Sequence, residues 1–331
     1  MLSKESMLIL SETQVRGLID IDELICALGQ AHIQYSTGKA VMPVRLVVPL
    51  PDIQGRITSM PGYLHEEKSL GMKVVTYFPS NPKHELPAIL AAIMLFSVET
   101  GKLIAVMDGS YITAIRTACA SALATQALAN PGPATLGILG AGVQARSHIQ
   151  ALARVRELRR IKVFSPSGVS AAAIKRDMEK DLTASIETAP SAEAVVRESD
   201  LLVTVTTAKQ PIVKSEWLKP GVHINAVGSH RPDLREIDGA TLARAKVVVD
   251  SRAAIMAECG DLLLAIQEKS ISENHIHGEI GEILAGTKPG RRSVDEITLY
   301  KSVGIAIQDV ATANLVYRKA LEHNVGTKVE I

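Results

Sequence analysis

The residues Gly140-Ala141-Gly142-Val143-Gln144-Ala145 follow an apolar run, "TLGIL", and lead into "VQARSHIQALARV", whose apolar residues recur with helical period. This is a G-x-G-x-x-A spacing at a strand-to-helix turn. Gly140 permits the tight turn, Gly142 lets the backbone approach a pyrophosphate, and Ala145 lets the helix pack close to the sheet. The helix N-terminus then offers unpaired N–H groups and the positive end of its dipole to an anion. A glycine pattern alone is weak, but a strand before it and a helix after it are the context a dinucleotide site requires. A nicotinamide cofactor is expected at Gly140, Gly142, Val143, Gln144 and Ala145.

The usual mark of NAD is an acid at the end of the next strand, about 20 residues on, which bonds the ribose 2′-OH. Here that stretch reads "KVFSPSGVS", with no Asp or Glu at the strand end. No carboxylate stands there to repel a 2′-phosphate. Ser165 and Ser167 can bond one, and Arg146 or Lys175 can add charge. NADP(H) is favoured on this logic, with NAD(H) as the other option. The plainer reading is a strand-to-helix turn with Ser167 or Ser170 as the cap.

Three basic residues stand in apolar or small-residue settings: Arg45 in "MPVRLVVP", Lys73 in "LGMKVVTYF" and Arg116 in "ITAIRTACAS". Taken singly, each reads as a long side chain at a sheet edge with its head in solvent. Together, ahead of a nucleotide-binding segment, they suggest a carboxylate clamp. Arginine offers a planar fork to a carboxylate, and lysine a point charge that can also deliver a proton.

The elements around these residues follow from the pattern. "MLIL" reads as a strand, and "SETQVRGLIDIDELICALGQAHIQYSTGKA" as one or two helices that start at Ser11 and stop at "STGKA". "VRLVVPL", "RITSMPGYL", "LGMKVVTYF" and "AAIMLFSVETGKLIAVMDG" are β-rich, with "ETGK" a hairpin turn. "YITAIRTACASALATQALA" is a helix closed by "NPGP". Strands "TLGILG", "RIKVFS", "DLLVTVT", "VHINAVG" and "KVVVD" then alternate with helices "VQARSHIQALARV", "SAAAIKRDMEKDL", "SAEAVVRES" and "IDGATLARA". Beyond them "SRAAIMAECGDLLLAI" and "HGEIGEILAG" read as helices, and "LYKSVGIAIQDVATANLVYRKALEH" as one long amphipathic helix. The alternation argues for an α/β protein with a doubly wound parallel sheet.

Bulk properties agree. A chain of 331 residues makes one large domain or two ordinary ones. With 47% hydrophobic and only 3% aromatic residues, the core must be Val, Ile, Leu and Ala, which suits buried parallel strands. A formal charge of +1, with no basic block interleaved with aromatics, argues against nucleic acid. No basic leader with a long apolar stretch opens the chain, and no run approaches the roughly 18 apolar residues of a membrane span. A soluble cytoplasmic protein is expected. Cys26, Cys119 and Cys259 are far apart and lack metal-ligand spacing; they read as buried thiols in a reducing compartment, and no metal is expected.

The chain resembles the ornithine cyclodeaminase/mu-crystallin family over nearly its whole length, most closely its mu-crystallin (ketimine reductase) branch. The segments that carry the resemblance are "MPVRLVVP", "MPGYL", "KVVTYF", "LIAVMDGSYITAIRTACASALAT", "LGILGAGVQARSH", "EWLKPGVHINAVGSHRPDLREID", "VVVDS" and "KSVGIAIQD". The resemblance implies a homodimer of two-domain subunits. Residues 1–115 with 308–331 would form an α/β substrate-binding and dimerisation domain, and 116–307 a Rossmann dinucleotide-binding domain, with the active site between them. It implies that Arg45, Lys73 and Arg116 bind a substrate carboxylate, with Lys73 near the reacting atoms. Asp233, in "SHRPDLRE", matches the family's acidic residue across the cleft. Thr117, Val227 and Ser302 with Gly304 fall where the family contacts the nicotinamide, and Thr206 joins that cofactor-binding set.

One departure bears on the substrate. The family's cyclodeaminases carry a Glu two residues before the Met-Pro of the second strand; here that position is Thr58, in "RITSMPGYL". Without that carboxylate a second cationic amine is held weakly, which disfavours ornithine and leaves imine reduction open. His230, beside Ser229 and Arg231, is either a substrate-site acid near neutral pH or an ordinary surface histidine. Thr58, Met60, Tyr77 and His230 are candidates to line the pocket. The activity implied is reduction of a 2-imino acid, such as Δ1-pyrroline-2-carboxylate or Δ1-piperideine-2-carboxylate, by hydride transfer from NAD(P)H to C=N. The proton would come from Lys73 first, or from Asp233, directly or through water or His230. The alternatives are an alanine (amino-acid) dehydrogenase and, behind it, an ornithine cyclodeaminase or a non-catalytic crystallin-like binder of NADPH and a ligand.

Overall fold

A computed structural model describes residues 6–330. The chain divides into two compact units, Met1–Arg116 with Ile305–Ile331, and Thr117–Gly304. The first opens with β1 (Met7–Leu10), α1 (Glu12–Leu18) and α2 (Ile21–Ser36). Ser11 caps α1 in a capping box with Gln14, and Asp20 caps α2, so each helix starts where a side-chain oxygen meets its free N–H groups. Then come β2 (Ala40–Val41), β3 (Leu46–Leu50), β4 (Gly55–Leu64), β5 (Ser69–Tyr77), β6 (Ile89–Phe96), β7 (Leu103–Asp108) and α3 (Ser110–Leu128), which carries the boundary at Arg116/Thr117.

The second unit holds β8 (Ala134–Leu139), α4 (Val143–Val155), β9 (Leu158–Phe164), α5 (Val169–Met178), β10 (Ser185–Thr188), α6 (Ala192–Glu198), β11 (Leu201–Thr204), β12 (His223–Ala226), α7 (Gly239–Arg244), β13 (Lys246–Val249), α8 (Arg252–Glu258), α9 (Gly260–Gln267), β14 (Ile276–Glu279), α10 (Ile280–Leu284) and β15 (Thr298–Lys301). The chain ends in the first unit with α11 (Ala306–Glu322) and β16 (Thr327–Val329).

The sheet of the first unit runs β16-β1-β7-β6-β5-β4-β2, with β3 on β4. It is mixed: β1 pairs parallel with β7, and the meander from β4 to β7 is antiparallel. Alternation in β5 turns Ser69, Gly71 and Lys73 inward. Gly71 is needed there, because a Cβ would come within 2.8 Å of Leu95 and 3.3 Å of Val310 on α11. Leu8, Leu10, Val15, Ile93, Leu95, Met107, Ile112 and Val316 form the core beneath α11.

The sheet of the second unit is parallel and doubly wound, in the order β10-β9-β8-β11-β12-β15-β13-β14. β8 and β11 are buried at every position, so both faces are covered by helices.

Several expectations need correction. "HGEIGEILAG" opens as β14 before α10, and the "LYK" of the supposed long terminal helix is β15, the helix starting only at Ala306. "SRAAIMAECGDLLLAI" is two helices broken at Cys259. β10, inside "TASIETAP", carried no strand expectation. Cys26 is exposed on the outer face of α2, whereas Cys119 and Cys259 are buried. The α5 cap is Gly168 rather than Ser167 or Ser170.

Candidate active site

The three basic residues of the expected clamp all belong to the first unit, and two of them are not at any solvated edge. Lys73 lies on β5 inside the sheet and is 1% exposed; Arg116, near the middle of α3, is 4% exposed. Arg45, just before β3, is half-buried. The chemistry is completed by residues that carried no expectation. Lys73 Nζ lies 2.9 Å from Oδ1 and 2.8 Å from Oδ2 of Asp309 on α11. Arg116 donates from Nε to Asp309 Oδ1 at 2.9 Å and from a terminal nitrogen to Gln308 Oε1 at 2.7 Å. Gln308 donates in turn to Nε2 of His32, on α2, at 3.1 Å.

The electrostatics follow from this crowding. Burial, then the Arg116 charge, pull the Lys73 ammonium down from its ordinary 10.5 to about 7; Asp309 opposes them, and Arg45 adds to the fall. Burial would raise the Asp309 carboxyl, but Arg116 and Lys73 outweigh it and hold it below the usual carboxylate range. Burial and Arg116 push His32 down to about 3, so it is neutral at physiological pH. The cluster thus holds one carboxylate, Asp309, against the charges of Arg116 and Lys73.

In the second unit the glycine turn lies at the C-terminal ends of neighbouring strands. Gly140 has φ +105°, and a Cβ there would come within 2.6 Å of the Val205 carbonyl oxygen. Gly142 caps α4 without any side-chain cap, and a Cβ on it would meet nothing within 4 Å. Gly142 and Val143 are exposed and Ala145 is fully buried. An uncapped N-terminus on a 13-residue helix with open space before it fits a pyrophosphate.

The other expected cofactor residues are held from behind by buried carboxylates. Glu236 accepts from Thr204 Oγ1 at 2.7 Å, from Thr206 N and Oγ1 at 2.6 and 2.7 Å, and from Gly228 N at 2.8 Å. Asp250 accepts from Ser302 Oγ, Val303 N and Gly304 N at 2.8 to 2.9 Å. The Ser302 hydroxyl and the Gly304 N–H therefore point at protein. Lys301 stands 3.0 Å from Asp261, and both are fully buried. Burial lifts the Glu236 carboxyl above its ordinary value despite the nearby Lys301. Thr117 is buried at the start of this unit and Val227 is half-buried.

At the end of β9, Ser165 is buried and its Oγ accepts from Ala171 N at 3.3 Å, while Ser167 is exposed. Arg146 pairs with Asp177 at 2.9 Å and Lys175 approaches Glu179 at 3.8 Å. Asp233 is exposed and held bidentately by Arg231 at 2.8 and 2.6 Å. Burial would raise its carboxyl, but Arg231 holds it below the usual range. Half-buried His230 uses Nδ1 on the Gly228 carbonyl at 2.9 Å. Among the described residues no group of three or more His, Cys, Asp or Glu is placed to hold a metal.

The missed residues share one cause. Asp309, Gln308, His32, Glu236, Asp250, Asp261 and Lys301 are polar positions inside apolar elements, and pattern alone cannot tell a buried ion from a solvated one. Asp309 did leave a trace, since "KSVGIAIQD" sets a lone acid in the apolar first turn of α11.

A parallel doubly wound sheet with an anion-ready glycine turn, in one chain with a mixed sheet that buries Lys73 and Arg116 on Asp309, defines an α/β protein with a dinucleotide-type fold. The chain belongs to the ornithine cyclodeaminase/mu-crystallin family, whose model matches residues 5–324. It is similar to Thermococcus litoralis Δ1-pyrroline-2-carboxylate reductase, solved in complex with NADH and L-proline, at 42% identity and TM-score 0.95, over 98% of this chain and 100% of that one. An archaeal alanine dehydrogenase dimer with bound NAD gives 37% identity and TM-score 0.93, over 98% and 99%. Ketimine reductase mu-crystallin of Mus musculus is 39% identical over 85% of each chain.

Proposed function

We propose that this chain is an NAD(P)H-dependent reductase of 2-imino acids, with cyclic ketimines such as Δ1-pyrroline-2-carboxylate or Δ1-piperideine-2-carboxylate as substrates and the L-amino acid as product. The observation that carries the reading is the buried Lys73 ammonium, set on Asp309, which Arg116 shares, and pulled down to about 7. Such a group holds a proton at neutral pH and gives it up readily. Arg45 and Arg116 bind the substrate carboxylate and fix the C=N against Lys73. Proton transfer from Lys73 Nζ to the imine nitrogen makes the adjacent carbon electrophilic. The bound cofactor supplies the hydride chemistry. Gly140, Gly142, Val143, Gln144 and Ala145 hold its pyrophosphate, and Thr117, Thr206, Val227, Ser302 and Gly304 shape the nicotinamide end, the last two through their backbone and packing. Asp233 is ionised at neutral pH, so it accepts a proton or orients the amine rather than donating, and His230 borders the substrate.

NADPH is favoured over NADH, because no carboxylate closes the end of β9. Ser165 and Ser167 bond the 2′-phosphate. The margin is small, because Arg146 and Lys175 already face Asp177 and Glu179. The assay is oxidation of NADPH and of NADH with the two cyclic imines, and with pyruvate plus ammonia. Rapid oxidation with a cyclic imine is expected; turnover confined to pyruvate and ammonia would move the chain to the alanine dehydrogenase reading, which the likeness to that dimer favours. Silence with all three would remove the substrate assignment. A homodimer is part of the same proposal, supported by the exposed apolar strand β3.

A further inference from the structure

Asp309 sits where the cationic cluster closes. It lies in the first turn of α11, and its side chain has no exposure. Its Oδ1 faces both Lys73 and Arg116 at 2.9 Å, and its Oδ2 faces Lys73 at 2.8 Å. Behind Arg116, Gln308 and His32 continue the chain of contacts, so β5, α3, α11 and α2 meet through side chains at one point. Among the groups just named, Asp309 is the one anion.

We propose that Asp309 is a positioning residue for imine reduction: its carboxylate fixes the Lys73 ammonium and the Arg116 guanidinium in one orientation and keeps the proton on Lys73 until the imine nitrogen takes it. The inference rests on Lys73 being the proton donor. In that step an N–H bond of Lys73 breaks and an N–H bond forms on the imine nitrogen. Lys73 is left neutral, and the reduced nicotinamide is oxidised as its hydride closes on carbon. The charges that act on Lys73 are Arg116 from α3, Asp309 from α11, which touches it, and Arg45 from the segment before β3. His32, from α2, is neutral and adds no charge. Burial and two permanent cations all drive the proton off Lys73, because arginine cannot yield one in its place. Asp309 alone among them opposes that loss. An amide at this position would not replace it: its oxygen could stand in for Oδ1, but its NH2 would face the Lys73 ammonium where Oδ2 stands, and it carries no charge to hold the proton.

The test uses lysine labelled with 13C at Cε in the full chain. The Lys73 resonance, assigned by its loss in Lys73→Arg, is titrated in wild type and in Asp309→Asn. The midpoint should fall by about one unit or more in the variant; an unchanged midpoint overturns the proposal whether or not the chain reduces imines. In NADPH oxidation with Δ1-pyrroline-2-carboxylate, Asp309→Asn should lose kcat far more than it raises KM at about pH 8, and recover part of it at about pH 6. An equal loss at both pH values would mean a merely structural role. If Asp309→Asn does not fold, Asp309→Glu carries the test: it should keep the wild-type midpoint and lose about tenfold or more in kcat, and wild-type kcat would overturn the proposal. A shifted midpoint in a chain that ignores cyclic imines would sink the proposed reaction and leave the charge pairing in place.

Discussion

Lys73 concentrates the chemistry in one side chain. Its ammonium is lowered to about 7, first by burial and then by Arg116, so it is protonated below that pH and neutral above. Imine reduction needs the protonated form, and kcat/KM should fall as pH rises through about 7. Oxidation of the amino acid needs the neutral form and should rise over the same range. A pH–rate profile in each direction checks both signs; profiles that run the same way would remove Lys73 as the acid. Lys73→Met should lower kcat by roughly 10²–10⁴-fold, the usual worth of a positioned acid. The sequence singles out Arg45, Lys73 and Arg116 as basic residues in apolar settings, and the fold sets Lys73 and Arg116 on the same carboxylate. That an acid from the far end of the chain completes them is not legible in the sequence, because residues 73 and 309 meet only through the fold.

At the scale of elements, buried carboxylates organise the cofactor side. Glu236 accepts four hydrogen bonds from Thr204, Thr206 and Gly228, two from backbone N–H groups and two from hydroxyls, so its carboxyl ties these loops together while burial lifts it above its ordinary value. Replacing it with Gln turns one acceptor into a donor facing donors. Leaving such a buried group unsatisfied costs about 1–3 kcal/mol. Glu236→Gln should therefore weaken NADPH binding, read by nicotinamide fluorescence, while the Lys73 titration stays at its wild-type midpoint. Gly140→Ala should do more, because it combines φ +105° with a 2.6 Å approach to the Val205 carbonyl; intact cofactor affinity in that variant would show that the turn is not the pyrophosphate site. The glycine turn and its flanking elements were readable because strand, turn and helix each leave a local signature. β10, β14 and the short β15 were not, since "SIET" and "IHGE" are too short and polar for an apolar run, and "TLYK" merges with the helix that follows. Parallel neighbours, rather than local pattern, make strands of them.

At the scale of the whole molecule, β3 is the feature that one chain alone does not explain. It pairs with β4 along one edge, and its apolar side chains stand open: Leu46 is 66%, Val47 43% and Val48 49% exposed. Val48 pairs with Ile57 of β4, itself 38% exposed, so the apolar surface continues across both strands. Monomeric proteins rarely leave contiguous apolar patches of more than a few hundred Å² open, and an unprotected apolar edge strand invites pairing with another chain. In the proposed homodimer a second copy would satisfy both demands with a closed, self-complementary contact. Leu46 and Val48 share one face of the strand by its two-residue period. Leu46→Glu with Val48→Glu should place like charges opposite each other across that contact, and light scattering after size exclusion should read two chains for wild type and one for the variant. A variant that remains dimeric would move the interface off β3, and a wild type that runs as one chain would leave that strand's exposure without a partner.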